Sequence, residues 1–163
     1  MKPIQVGLLG IGTVGSGVFN VLQRNQDEIS RRAGRGIEIA MVADLDVERA
    51  KSVVGSKVQV VNDARAVIAN PDIDIVIELI GGYGIARELV MAAIENGKHV
   101  VTANKALLAV HGTEIFAAAS ERGVAVFNGP FSNTRSVAEL VIGHAIELMR
   151  RVPERHAAAR RGV

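Results

Sequence analysis

Cysteine and tryptophan are both missing from this 163-residue chain. The first absence excludes disulfides, thiolate metal sites and cysteine nucleophiles, and it is compatible with a reducing cytoplasm, the expected location. No metal site is expected. The second absence, with one Tyr and four Phe in the whole chain, leaves few aromatic platforms on which single-stranded nucleic acid stacks, so no nucleic-acid partner is expected. No apolar run approaches the roughly 20 residues that cross a bilayer. The apolar N-terminal stretch is interrupted by Gly10 and Gly12 with no small-residue cleavage site after it, so neither a signal peptide nor a membrane partner is expected. Charge of one sign is also scarce, at a net +2, but it is unevenly placed. Arg150, Arg151, Arg155, Arg160 and Arg161 face only Glu154, which leaves residues 1–149 at −2. The tail at 151–163 is expected to be solvated.

What is present is glycine in a specific setting. The apolar run Ile4-Gln5-Val6-Gly7-Leu8-Leu9 leads into Gly10-Ile11-Gly12-Thr13-Val14-Gly15, and an amphipathic stretch follows. This is the context that gives a GxGxxG pattern meaning as a dinucleotide-binding turn. Gly10 permits the tight turn, Gly12 lets the backbone approach a pyrophosphate, and Gly15 lets the helix pack on the strand. The phosphates then sit over a helix N-terminus, whose unpaired N–H groups favour anions. Gly10, Gly12, Thr13, Val14 and Gly15 are therefore candidate cofactor contacts.

Val14, Val18, Val21, Leu22 and Ile29 recur at helical spacing, predicting one crossover helix that ends before Gly34 and Gly36. A strand over 37–42 ends in Ala43-Asp44-Leu45-Asp46. An acid at that place accepts hydrogen bonds from ribose hydroxyls and repels a 2′-phosphate, which favours NAD and leaves NADP as the second candidate. Asp44 lies 29 residues after Gly15, further than the roughly 20 usual in the fingerprint, a distance that the long helix explains. The alternative for Asp44 is a helix cap, the role assigned to Asp46.

Further on, 58–61 reads as a strand, 63–69 as a short helix stopped by Asn70-Pro71, and 74–80 as a strand buried on both faces. Glu78 interrupts that apolar run. It either faces a ligand crevice beside Gly81-Gly82, with Gly81 a candidate contact, or pairs with a local backbone donor or Arg87. A helix over 85–95, with Ile85, Leu89, Ala92 and Ala93 on its apolar face, closes at Asn96-Gly97. A strand from His99 through Ala103 follows, with Asn104-Lys105 at its exit. Ligands of open α/β sheets collect outside the carboxyl ends of strands, so Thr102, Asn104 and Lys105 are further candidates. A lysine there binds an anionic group or assists proton transfer. A helix over 113–122 and a strand over 124–127 complete the alternation. The fold class is α/β, a Rossmann-like doubly wound, mainly parallel sheet with helices on both faces.

Residues 1 to about 123 resemble the nucleotide-binding domain of homoserine dehydrogenase. The resemblance rests on the glycine stretch 6–15, on Ile77-Glu78-Leu79-Ile80-Gly81-Gly82 and above all on Lys98-His99-Val100-Val101-Thr102-Ala103-Asn104-Lys105-Ala106-Leu107-Leu108. It implies NAD(P)-dependent, reversible oxidation of homoserine to aspartate 4-semialdehyde, with Lys105 beside the nicotinamide and substrate in a supporting catalytic role. From about Ser120 the chain is similar to D-3-phosphoglycerate dehydrogenase instead, through Phe127-Asn128-Gly129-Pro130-Phe131-Ser132-Asn133-Thr134-Arg135-Ser136 and on to Val163. The two resemblances imply a chimera or a designed sequence. Neither family's full catalytic set is supplied, and His144 and His156 do not substitute for it.

Within that second segment Ser132 or Thr134 is placed to cap a helix, and Ser136 to Glu139 matches a capping box. Val137, Leu140, Val141, Ala145, Leu148 and Met149 form an apolar stripe, with Ile142 and Ile146 off it, which predicts deeper burial or a homodimer contact. The expected organisation is a dinucleotide-binding domain over 1–150, including a helix at about 134–150, and a basic tail over 151–163. The expected function is NAD binding with negligible turnover. The alternative is a structural or designed scaffold without useful ligand binding.

Overall fold

The computed structural model describes residues 2–128. The helix expected at 134–150, its dimer contact, the tail at 151–163, His144 and His156 lie outside the described residues. Six strands and six helices follow one another as β1 (Ile4–Leu9), α1 (Thr13–Arg24), α2 (Gln26–Ala33), β2 (Ile37–Ala43), α3 (Val47–Val54), β3 (Gln59–Val61), α4 (Ala64–Ala69), β4 (Ile75–Glu78), α5 (Gly84–Glu95), β5 (His99–Thr102), α6 (Lys105–Arg122) and β6 (Val126–Asn128). The strands form one sheet in the order β3-β2-β1-β4-β5-β6, and every pairing is parallel. This is the doubly wound arrangement expected from the alternation of strand and helix patterns.

Successive side chains of a strand point to opposite faces, so each central strand feeds two cores. Val6 and Leu8 of β1 and Ile39 and Val42 of β2 pack with Phe19 of α1 and with Ala50 and Val54 of α3. Leu9, Met41, Val76 and Val100 pack with α4, α5 and α6 through Val67, Ile68, Leu89, Val90, Ile94, Leu107 and Ile115. The register of β1 against β2 shifts between Val6 and Gly7, leaving Ala40 as the extra residue. Short polar side chains start three of the helices. Asp46 Oδ1 accepts from the Arg49 N–H at 3.0 Å, Asp63 Oδ1 from that of Arg65 at 2.9 Å, and Asn104 Oδ1 from that of Leu107 at 3.0 Å.

Four local expectations are corrected. The single first crossover helix is two helices, α1 and α2, broken at Asn25. Asn25 Nδ2 donates to the Val21 carbonyl at 2.8 Å, where its own backbone N–H also ends at 3.1 Å, so its side chain competes with continuation of the helix. The buried face of α1 is Gly15 and Phe19, with Val14 and Val21 exposed at 58% and 48%. On α5, Ile85 is likewise exposed while Ala86, Leu89, Val90, Ala93 and Ile94 are buried. Finally, α6 begins at Lys105 rather than near Thr113, because Asn104 caps it and Leu107, Gly112, Ile115 and Ala119 bury one continuous face.

Lys98 is buried at the amino edge of the sheet, and its ammonium donates to the carbonyls of Asn70 at 2.8 Å and Ile73 at 2.7 Å. It joins the α4–β4 connection to the start of β5. Lys98→Met keeps the apolar stem but takes the ammonium from both carbonyls, of which that of Asn70 keeps the Ile73 N–H at 3.2 Å. Hydrogen bonds to a charged group contribute about 1.5–3 kcal/mol each, offset by relief of the buried charge. A net loss of about 2 kcal/mol is expected, read as a lower urea midpoint at unchanged slope. An unchanged midpoint would show that the ammonium contributes nothing net.

Candidate functional site

The site grows from the carboxyl edge of the sheet where β1 and β4 lie side by side, the point at which the chain reverses its winding. Leaving β1, the chain turns at Gly10 with a φ of +94°. A Cβ at Gly10 would stand 3.2 Å from the Leu79 carbonyl, so only glycine admits the neighbouring β4 loop this closely. Gly12 is the N-cap of α1, and no side chain caps that helix. Its first amides are therefore left for a ligand. A Cβ on Gly12 meets nothing within 4 Å, so open space lies over the turn. Gly15 does the opposite: a Cβ there would stand 2.2 Å from the Gly10 carbonyl oxygen.

Asp44 follows β2 and faces the turn. Its Oδ2 accepts from the Ile11 N–H at 2.7 Å and its Oδ1 from the Asp46 N–H at 2.9 Å. Each oxygen has a second lone-pair direction available for a further donor. A cleft of about 450 Å3 opens beside it, lined by Gly10, Gly12, Ala43, Asp44, Leu45, Asn62, Asp63, Ala64, Arg65, Leu79, Ile80, Ile85 and Leu89. An uncapped helix start, room over Gly12 and an acid at the cleft wall suit a pyrophosphate with an adjoining ribose. The donor set fits a dinucleotide.

Of the predicted residues, Gly10, Gly12 and Asp44 line this cleft, and Thr13, Val14 and Gly15 stand in the first turn of α1 beside it. Gly81, Thr102, Asn104 and Lys105 form a second group beyond its lining, after β4 and at the end of β5. That group is built around Glu78, which is 0% exposed. Glu78 Oε1 accepts from the N–H groups of Ile80 at 2.8 Å and Gly81 at 3.0 Å. Its Oε2 accepts from the Thr102 hydroxyl at 2.6 Å. Local donors are thus its partners. Arg87, the other partner considered, instead binds Glu114 from α5 to α6, with Nε to Oε2 at 2.9 Å. That guanidinium hydrogen bond holds the Glu114 carboxyl below its ordinary range.

The Thr102 hydroxyl also accepts from the Asn104 N–H at 2.9 Å, and Asn104 Nδ2 donates to the Gly82 carbonyl at 2.6 Å. Lys105 is the exposed first residue of α6. Sequence reasoning did not single out Asn62 and Arg65. They follow β3 at the same carboxyl edge, so the strand-end rule that selected Lys105 was sufficient to find them. Among the described residues no helix is long and apolar enough to cross a membrane.

Residues 10–128 match the family model described as homoserine dehydrogenase, NAD binding domain. The chain is 67% identical over 109 residues to a homoserine dehydrogenase of Methylobacillus glycogenes, covering 67% of this chain and 26% of that protein. It is 60% identical over 126 residues to the homoserine dehydrogenase of Pseudomonas aeruginosa, covering 77% and 29%. The chain therefore spans under a third of the length of the curated relatives it matches. Among solved structures it is similar to the homoserine dehydrogenase of Thiobacillus denitrificans, with a TM-score of 0.75 at 55% identity, covering 78% of this chain and 30% of that one. Staphylococcus aureus homoserine dehydrogenase at pH 7.5 superposes with a TM-score of 0.71 at 34% identity, covering 77% and 31%. Since the family match runs from the glycine turn through the last described strand, the chain belongs to the homoserine dehydrogenase family and corresponds to its NAD-binding domain.

Proposed function

We propose that this chain is the cofactor-binding part of a homoserine dehydrogenase, taking NAD, with NADP as the second candidate, across the carboxyl edge of its sheet. The pyrophosphate lies against Gly10, Gly12 and the first-turn amides of Thr13 and Val14, with Gly15 admitting the close packing of α1. The adenosine ribose meets Asp44, and the nicotinamide lies toward Gly81, Thr102, Asn104 and Lys105. The observation that carries this is the uncapped start of α1 beside the Asp44-lined cleft. Bound NAD supplies a hydride acceptor. Lys105 is suited to hold an anionic or carbonyl oxygen of a substrate, a supporting role in converting homoserine to aspartate 4-semialdehyde.

For the 163-residue chain alone we expect negligible turnover, because the match to the family lies over the cofactor domain. Homoserine-dependent NADH production that Lys105→Ala abolishes would overturn that expectation. A domain over 1–150, a basic tail over 151–163, dimerisation through 134–150 and a junction to a D-3-phosphoglycerate dehydrogenase-like segment belong to the same reading. The family match runs to Asn128, past Ser120, where the second resemblance begins, and sedimentation of the full chain tests the dimer.

Cofactor binding is tested by thermal unfolding with NAD and NADP. A ligand specific to the native state stabilises it by about 2.7 kcal/mol at a hundred times its Kd. A rise in melting temperature with either cofactor is expected, larger for NAD. No shift at millimolar concentration overturns the reading in favour of a scaffold without a ligand.

A further inference from the structure

Glu78 is a fully buried carboxylate whose partners are two backbone amides and one hydroxyl. Each oxygen serves a different loop. Oε1 takes the Ile80 and Gly81 N–H groups of the β4–α5 connection, where Gly81 and Gly82 both have φ near +78°. Oε2 takes the hydroxyl of Thr102, its register partner on β5. From Thr102 the chain of bonds continues to the Asn104 N–H, and Asn104 in turn holds the Gly82 carbonyl and caps α6 next to Lys105. Both loops are thereby tied to one carboxylate and to each other. Burying a carboxylate is costly unless its hydrogen bonds are met, and groups that orient a site from behind change its affinity strongly without touching the ligand.

We propose that Glu78 is the positioning residue for the nicotinamide end of the site, acting through Thr102 and Asn104 on the Gly81 loop and on Lys105. This rests on the cofactor reading above. Asp44 organises the adenosine end through Ile11, while Glu78 Oε1 also holds Ile80, which lines the Asp44 cleft; the Thr102 hydroxyl serves the nicotinamide end without touching that bond. Glu78→Gln keeps the shape but turns one acceptor into a donor: with its oxygen kept for the two amides, its NH2 faces the Thr102 hydroxyl, whose proton then loses its acceptor. Thr102→Val removes the hydroxyl that relays between the loops, whereas Thr102→Ser keeps it.

The test uses the full chain with NADH, followed by the fluorescence of its reduced nicotinamide, and ADP as a probe of the adenosine half alone. Glu78→Gln and Thr102→Val are expected to weaken NADH binding by about 10- to 100-fold, the range for lost outer supporting groups. For Thr102→Val, which leaves the Glu78 bond to Ile80 in place, ADP affinity should change by less than about twofold, because the pyrophosphate and ribose contacts have their own supports. Thr102→Ser is expected to recover most of the NADH affinity, along with the nicotinamide emission of the bound form. Equal losses for NADH and ADP in Thr102→Val, or no loss for NADH, overturn the inference, as does a wild-type chain that binds ADP and NADH equally well. If Glu78→Gln does not fold, the Thr102 pair decides alone. A wild-type chain that binds neither probe overturns the cofactor reading itself, and this inference with it.

Discussion

Replacing Gly15 with alanine is expected to cost the domain about 3 kcal/mol, the upper part of the usual range for overpacking a close contact. The added Cβ would lie 2.2 Å from the Gly10 carbonyl oxygen and 3.1 Å from its carbon. Both atoms are backbone, so no rotamer change relieves the clash, and α1 must move away from β1 by roughly 1 Å to restore ordinary contact. That movement carries the first-turn amides with it. Cofactor affinity should fall by at least about tenfold, since a displacement of this size is enough to spoil a positioned site. Gly12→Ala is the informative companion. Gly12 has a φ of −62°, and a methyl added there would meet no atom within 4 Å, so its stability should stay within about 0.5 kcal/mol of wild type. NADH binding should nonetheless drop, because the methyl occupies the space assigned to the pyrophosphate. Urea unfolding and NADH titration of the two variants separate packing from binding. A Gly15→Ala chain with a wild-type midpoint would mean that α1 does not lie as close to β1 as described, and a Gly12→Ala chain with wild-type affinity would remove the phosphate from the turn.

The same contact explains which parts of the fold were legible in the sequence. GxGxxG, the apolar β-branched runs and the strand–helix alternation report local geometry, and they lead to the parallel sheet that is observed. The buried face of α1 is not local. Gly15, Phe19 and Leu22, four and then three residues apart, share the face that the glycine contact selects. Counting valines chose the neighbouring face through Val14 and Val21, because valine is hydrophobic wherever it stands and glycine carries no hydrophobic signal. Asn25 is similar: its side chain breaks the helix through a bond to Val21 that periodicity does not register. The start of α6 was legible in principle, since Asn104 is a good N-cap three residues before Leu107, but Gly112 dilutes the helical pattern around it. Glu78 was legible only as an anomaly. Its partner Thr102 lies 24 residues away, and the two meet because β4 and β5 happen to pair in that register. A strand order is required before such a pair has any meaning.

Removing the Asp44 carboxylate, by Asp44→Ala, is expected to lower NAD affinity by about 100-fold while lowering NADP affinity much less. Two losses combine for NAD. Its ribose hydroxyls lose an ionised acceptor, where each hydrogen bond to a charged group contributes about 1.5–3 kcal/mol. The Ile11 and Asp46 N–H groups, which Asp44 holds at 2.7 and 2.9 Å, also lose their acceptor, which loosens the glycine turn. NADP suffers the second loss but is relieved of repulsion between its 2′-phosphate and the carboxylate, so its net change is smaller. Asp44→Asn separates the two effects. An asparagine keeps one oxygen for the Ile11 N–H and so preserves the turn, while the negative charge and one acceptor are gone. Its NAD affinity should therefore fall less than that of Asp44→Ala, and its ratio of NAD to NADP affinity should fall with it. Titrations with NADH and NADPH at one fixed ionic strength measure both ratios. Equal losses for the two cofactors in Asp44→Ala would assign the whole effect to the turn, and Asp44 would then be an anchor of the backbone with no direct part in choosing between them.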